Sequence, residues 1–389
     1  MRKNKMSQKK INIAVNCWVL RNKQLDGIGY FTVNTLQRMI KAHPEVSFTL
    51  LCDTKFKEHY FEGDNVSIKR IFPPFRHPLL YVFFMELVLP MVLKFIKPDL
   101  FFSPDGYLSL MAGCKQVPVI HDLNFEHYPN QLPLKNRLYY LYFFKRFAKK
   151  AFRIATVSEY SKQDIVARYQ IDAKKVDVVY CGINSGFHPL TDAEKLEVKN
   201  KFSDGKPYFF FVGSLHPRKN MLRLIEAFAI FKANTNSDFK LIIAGSFYWK
   251  TDEMQKVLSS NLYKNDIVFT GRLSEEELRF YFGAAHALTF MPVFEGFGIP
   301  IVEAFEMQVP VLTSNISSMP EVGGNAAIYA NPFNINEIAL GMQHLFENKN
   351  DLLKSLIEKG NIRKEKFSWD KSAALLWQSL EKSISGIDD

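Results

Sequence analysis

Short apolar runs rich in β-branched and aromatic residues recur along the chain, separated by segments of helical length. In the first half they fall at Ile11–Asn16, Phe48–Cys52, Leu100–Ser103, Val117–His121, Ile154–Ser158 and Val176–Tyr180. In the second half they fall at Tyr208–Gly213, Lys240–Ala244, Ile267–Thr270, Ala287–Met291 and Val309–Thr313. Continuous apolar strands alternating with helices mark parallel sheets covered on both faces. Two such series predict an α/β protein of two doubly wound parallel-sheet (Rossmann-like) domains facing a cleft. A length of 389 residues also exceeds what one hydrophobic core usually serves.

The break falls near 182–207, where Gly182-Ile183-Asn184-Ser185-Gly186 gives way to a polar, charged segment. The organisation read from this is a basic tail at 1–10, an N-terminal domain at 11–182 and a linker at 183–206. A C-terminal domain follows at 207–367, then a closing helix at 368–389. The apolar face of that helix, with Trp369, Ala373, Leu376, Trp377 and Leu380, suits either domain.

Charge and cysteine usage narrow the class. The formal net charge is +10, and Arg2, Lys3, Lys5, Lys9 and Lys10 supply half of it from the tail. The rest is spread thinly, which suits weak attraction to anionic substrates or an anionic membrane surface. No long Lys/Arg stripe or zinc-knuckle spacing points to nucleic acid. The four cysteines (Cys17, Cys52, Cys114, Cys181) lie far apart, which fits a reducing, cytoplasmic compartment rather than a disulfide framework or a metal knuckle. The most apolar stretch, Leu79–Ile96, is interrupted by Glu86, Pro90 and Lys94 and falls short of a spanning helix. With Leu134–Phe152, where aromatics alternate with cations, it reads either as a membrane-interface element or as core helices with snorkelling lysines.

Ligands of open α/β sheets bind beyond the carboxyl ends of the strands, so the loops there are the candidates. Gly213-Ser214-Leu215-His216-Pro217-Arg218-Lys219-Asn220 follows one strand and precedes a helix. Adjacent Arg218 and Lys219 beside a helix N-terminus make a cradle for a diphosphate, though exposed basic residues near a cap are also common. Glu295-Gly296-Phe297-Gly298-Ile299-Pro300-Ile301-Val302-Glu303 follows another strand. Its glycines permit a tight turn with backbone amides exposed to phosphate, and Glu295 and Glu303 are spaced to meet separate hydroxyls of one ligand. Glu303 alternatively compensates the dipole of the helix it sits in. In the first half, Gly27-Ile28-Gly29 opens a helix, a weak phosphate signal. His121-Asp122 closes a strand and faces the expected cleft.

Taken in order, several motifs resemble family 4 retaining glycosyltransferases of the GT-B fold, a group that includes bacterial mannosyltransferases of polysaccharide assembly. They are Asp26-Gly27-Ile28-Gly29-Tyr30, His121-Asp122-Leu123, Thr156-Val157-Ser158-Glu159, Gly182-Ile183-Asn184, Pro217-Arg218-Lys219-Asn220 and the Glu295-to-Glu303 pair. The resemblance implies that Arg218 and Lys219 bind the diphosphate of a nucleotide sugar and that Glu295 contacts the donor sugar. It implies Glu303 at the ribose, His121 beside the transferred sugar and Gly27 and Gly29 near the phosphates. It places Gly296, Phe297 and Gly298 against the donor. It also implies no metal and no cofactor beyond the nucleotide sugar, with GDP-mannose favoured over UDP-sugars. A front-face displacement with retention would follow, onto a saccharide or polyprenyl-linked acceptor in surface polysaccharide (lipopolysaccharide) assembly. Contact with the inner face of the membrane would be peripheral. Tyr30-Phe31 stands where many relatives carry Arg-Tyr, so whatever help that Arg gives relatives with phosphate is absent here. The alternatives are a sugar-nucleotide epimerase or phosphorylase of related fold and a catalytically silent scaffold.

Overall fold

The computed structural model describes residues 10–21, 25–54, 60–72, 78–246, 252–347 and 351–386. The basic tail 1–10 lies outside them, apart from Lys10. The chain divides into two compact units, 1–181 with 369–389, and 182–368.

The first unit carries β1 (Asn12–Asn16), β2 (Ser47–Cys52), β3 (Val66–Arg70), β4 (Leu100–Ser103) and β5 (Lys115–Pro118), in the order β3-β2-β1-β4-β5. All the pairings are parallel. A parallel bridge between Val119 and Ala155 leads on to β6 (Ile154–Thr156) and β7 (Val176–Val178). The expected strand Val117–His121 is thus cut short at Pro118. Past it, Val119 N still donates to Ser103 O of β4 at 2.8 Å, while Ile120 N donates to Ala155 O of β6 at 2.9 Å, so the chain passes from one partner strand to the other. The short apolar pattern missed β3, a strand whose side chains are mostly open to solvent, as an edge allows.

The second unit carries β8 (Tyr208–Val212), β9 (Lys240–Ala244), β10 (Ile267–Gly271), β11 (Ala287–Phe290), β12 (Val311–Ser314) and β13 (Ala327–Ala330). Their order is β10-β9-β8-β11-β12-β13, all parallel. Phe209, Phe210 and Phe211 are fully buried, as expected of a strand packed by helices on both sides. In each sheet the strand order reverses between two neighbours, β1 and β4 in one and β8 and β11 in the other. Ligands of such sheets bind at that crevice.

Two boundaries differ from the sequence reading. Residues 183–206 are not a bare linker: Asp192–Ser203 is a helix with a complete capping box, in which the Thr191 hydroxyl bonds Glu194 N and the Glu194 carboxylate bonds Thr191 N. The helix packs within the second unit, where Arg279 lies 3.8 Å from Glu194. Its weakly amphipathic, charged sequence hid it. The closing helix, Trp369–Ser385, returns to the first unit. Trp377 stacks on His43 at 3.6 Å, Arg38 bonds Asp370 at 2.6 Å, and the Ser379 hydroxyl donates to Asp177.

Candidate active site

Both loops that flank the crevice of the second sheet carry expected residues. After β8 the chain leaves through Gly213, at φ +151°, whose N–H bonds Ala244 O at 3.0 Å. Gly245, also at φ +151°, passes so close that a Cβ there would lie 1.8 Å from Gly213 O. Only glycine permits this stapling of the loops after β8 and β9. The loop then makes a tight turn over Pro217–Lys219, and Asn220, in the left-handed region, starts the helix Met221–Thr235. Arg218 and Lys219 therefore stand just ahead of the helix rather than in its first turn.

The loop after β11 meets them. Val293 N donates to Arg218 O at 2.8 Å, and Arg218 Nη1 reaches Phe294 O at 3.3 Å. Arg218 Nη1 and Lys219 Nζ both bond the same oxygen, Oε1, of Glu295. Lys219 is buried and sits 5.0 Å over the Phe290 ring. Burial would raise the Glu295 carboxyl pKa, but the Arg218 and Lys219 charges outweigh it and hold the carboxyl below its ordinary range. Two cations on one anion leave an excess positive charge in a poorly solvated place, the requirement for taking an anion. His216 stands beside them. Burial and the two cations push its pKa to about 4, so it is neutral near pH 7, and its Nδ1 is buried with no partner among the described residues.

Beyond Glu295 the Ser318 hydroxyl lies 3.0 Å from Glu295 O and 2.9 Å from Phe297 O, fixing the Gly296–Gly298 turn. Gly298, at φ +104°, begins the helix Ile299–Glu306. Two expectations change here. Residues 291–298 are buried, so their amides are not an exposed rim. The Phe297 side chain packs edge-on against Phe367 at 5.5 Å, which leaves only its backbone for a ligand. Glu303 is buried, accepts from Asn184 Nδ2 at 3.1 Å, and its carboxyl is pushed up to about 7 by desolvation. Glu303 also lies past the first turn of its helix, where the dipole effect has fallen off, so the dipole reading fails. Asn184 Oδ1 is buried without a partner among the described residues.

In the first unit, His121 Nε2 lies 2.8 Å from Pro104 O. A carbonyl only accepts, so Nε2 carries the proton and Nδ1 is left as an acceptor. Burial lowers the His121 pKa, and Phe31 packs edge-on to its ring at 5.1 Å. Asp122 is spent locally, its Oδ1 accepting from Asn124 N at 2.9 Å. Asp26 caps the helix Gly27–Ala42 by accepting from Gly29 N at 2.9 Å, so that amide is not free for phosphate. Gly27 is exposed.

Sequence reasoning passed over His216, Ser318 and a polar cluster at the crevice of the first sheet. There Asn16 Nδ2 reaches Ser103 Oγ at 3.1 Å and Asp105 Oδ1 at 2.7 Å, and burial lifts the Asp105 carboxyl to about 6. The signal was faint because Ser103-Pro104-Asp105-Gly106 reads as any turn. Among the described residues, no group of three or more His, Cys, Asp or Glu could hold a metal ion.

A family model described as "Glycosyl transferases group 1" matches residues 192–363, and one described as "Glycosyltransferase Family 4" matches 25–187. The chain is 25% identical over 360 residues to O-antigen chain mannosyltransferase B of Escherichia coli, covering 89% of this chain and 93% of that protein. It is 28% identical over 252 residues to O-antigen chain mannosyltransferase RfbU of Salmonella typhimurium, covering 65% and 66% respectively. Anabaena Alr3699/HepE, solved with UDP and glucose, superposes with a TM-score of 0.74 at 15% identity, over 96% of this chain and all of that one.

Proposed function

The chain belongs to glycosyltransferase family 4, with the GT-B fold, and from that footing we propose that it transfers mannose from GDP-mannose, with retention, to a polyprenyl-linked saccharide in surface polysaccharide assembly. It does so on the cytoplasmic side, at the inner face of the membrane. The observation that carries this reading is the convergence of Arg218 and Lys219 on one oxygen of Glu295 at the crevice of the second sheet. The choice of mannose is supported by the names of the relatives, two of them O-antigen mannosyltransferases.

In this reading the donor diphosphate takes over both cations and releases Glu295 to the hydroxyls of the sugar. Glu303, oriented by Asn184, bonds the ribose. The acceptor hydroxyl oxygen forms a bond to the anomeric carbon on the face from which the diphosphate leaves. The electron pair of the broken C–O bond stays on the β-phosphate, which takes the acceptor's proton. Arg218 and Lys219 stabilise the charge that grows there, so electrostatics fixed in advance replace a metal. His121 is assigned to the sugar as a neutral group, and Gly27 serves through its backbone.

Thermal-shift titration tests the donor. At about 100 times Kd a ligand stabilises the native state by about 2.7 kcal/mol, so GDP and GDP-mannose are expected to raise the midpoint by several degrees. UDP compounds are expected to leave it in place. Shifts with UDP-sugars alone would replace the donor while keeping the transferase. An NMR assay of the product is expected to show the anomeric configuration of the donor, and an inverted product would rule out front-face displacement.

A further inference from the structure

The segment Pro78–Ile96 is continuous helix with one wide turn inside it, at Phe84–Val88. Its inner face is accounted for: Phe84, Met85, Leu89 and Leu93 are buried in the core of the first unit. Its outer face is not. Leu80, Phe83, Leu87 and Met91 are each exposed by half or more, and Phe95 is 83% exposed. Their spacing of three or four residues keeps them in one row, and the wide turn takes up the extra residue that would otherwise carry the row off that face. Monomeric soluble proteins rarely leave so long an apolar row open.

The acid in this segment does not interrupt the row. The Glu86 carboxylate is turned to residues 109–111, accepting from Leu110 N at 3.1 Å and Met111 N at 3.0 Å. The same loop presents Met111, 67% exposed. It is also tied to the helix Leu134–Lys150, through Lys150 Nζ to Leu110 O at 2.8 Å. That helix stands beside the first, Tyr81 lying edge-on to Tyr139 at 5.5 Å. It exposes a second apolar row, Leu134, Leu138 and Tyr142, at intervals of four. Arg146 stacks 3.6 Å over the Tyr142 ring.

Cations accompany the apolar rows. Lys94 and Lys97 are exposed at the end of the first helix, and Lys149 and Lys150 at the end of the second. Between the first helix end and residues 111–114 a recess of about 530 Å³ opens, lined by Met91 and Met111 and also by Lys94 and Lys97. Apolar side chains beside ammonium groups match one kind of surface, acyl chains beneath phosphate headgroups. No helix among the described residues is long and apolar enough to cross a membrane, so such contact would be peripheral.

We propose that the face formed by Leu80–Lys97, Met111 and the outer side of Leu134–Lys150 docks on an anionic phospholipid bilayer, Phe95, Met91 and Met111 entering the acyl boundary while Lys94 and Lys97 meet the phosphates. The proposal deepens the reading of a membrane-borne acceptor and rests on it for its purpose, but its test needs neither donor nor transfer. Flotation of the full chain with phosphatidylglycerol-containing vesicles, against pure phosphatidylcholine, is the measurement. The wild-type chain is expected to bind the anionic vesicles at least tenfold better and to lose most of that binding at 0.5 M salt. The double variant Met91→Glu/Phe95→Glu is expected to lose binding tenfold or more, with its melting midpoint unchanged. Leu262→Glu, 90% exposed in the other unit, controls for charge alone and is expected to float like wild type. Wild-type protein that stays off anionic vesicles, or a double variant that floats as well as wild type, would overturn the proposal. Sedimentation showing a wild-type dimer that the double variant breaks, without vesicle binding, would assign the face to a second copy instead. Failure of either kind leaves donor binding by the second unit intact, so the two readings fall separately.

Discussion

Lys219→Ala is expected to lower kcat for glycosyl transfer by about 10²–10³-fold, the loss typical when one pre-placed stabiliser of a growing charge is removed. The reason lies in the triad of charges. Lys219 is buried, and it shares Glu295 Oε1 with Arg218. Removing the lysine leaves Glu295 still paired with Arg218, so the fold keeps a neutral pair and loses only the surplus positive charge. The melting midpoint without nucleotide is therefore expected to move little while its rise with GDP shrinks. Arg218→Ala is expected to behave alike. Glu295→Gln is the counterpart: it leaves two cations together in a desolvated place without their anion. That variant is expected to melt lower than wild type without nucleotide and to recover more than wild type when GDP is added, although its transfer activity is lost. Transfer by Lys219→Ala within threefold of wild type would remove the diphosphate role from this site.

Glu303→Gln is expected to make the protein more stable than wild type at pH 8 and to bring the two together as the pH falls to about 4. The Glu303 carboxyl is raised from 4.5 to about 7, because burial disfavours its charge more than the Asn184 amide favours it. A carboxyl with a raised pKa binds its proton more tightly folded than unfolded. Between about pH 4.5 and 7 the native state therefore holds more protons, and stability falls as pH rises through that window. At about 1.4 kcal/mol per unit, the full cost above the window is roughly 3 kcal/mol, a sizeable part of the 5–15 kcal/mol typical of a domain. Glutamine keeps an oxygen for Asn184 Nδ2 and carries no charge to desolvate. Subtracting the variant's melting curves from wild type across pH isolates this one group from Asp105, His121 and His216, which also titrate away from their ordinary values. Parallel curves from pH 5 to 8 would mean that Glu303 is ionised in the fold at no cost. The variant is also expected to respond less to GDP-mannose, so the stability cost in wild type is one that donor binding requires.

Much of this protein is determined by the order of its residues alone. Runs such as Tyr208–Val212 and Lys240–Ala244 are apolar without alternation, and only a sheet covered on both faces buries such a run. Two series of them dictate two doubly wound units, and the sheet type dictates that chemistry sits in the loops after β8 and β11. Arg218, Lys219, Glu295 and Glu303 were legible for that reason. What tertiary structure decided are the relations between residues far apart in the chain, because packing brings them together and no local pattern encodes that. Glu303 is 119 positions from the Asn184 that orients it, and the two cations lie 76 and 77 positions from the carboxylate they share. The tautomer of His121 hangs on Pro104 O, and the helix Trp369–Ser385 chose the first unit through Trp377 on His43. Likewise the sequence Leu79–Ile96 could mark a core helix or a surface one. Only the fold shows that Leu89 and Leu93 point in while Met91 and Phe95 stay out, since a residue's burial depends on what else the chain lays against it.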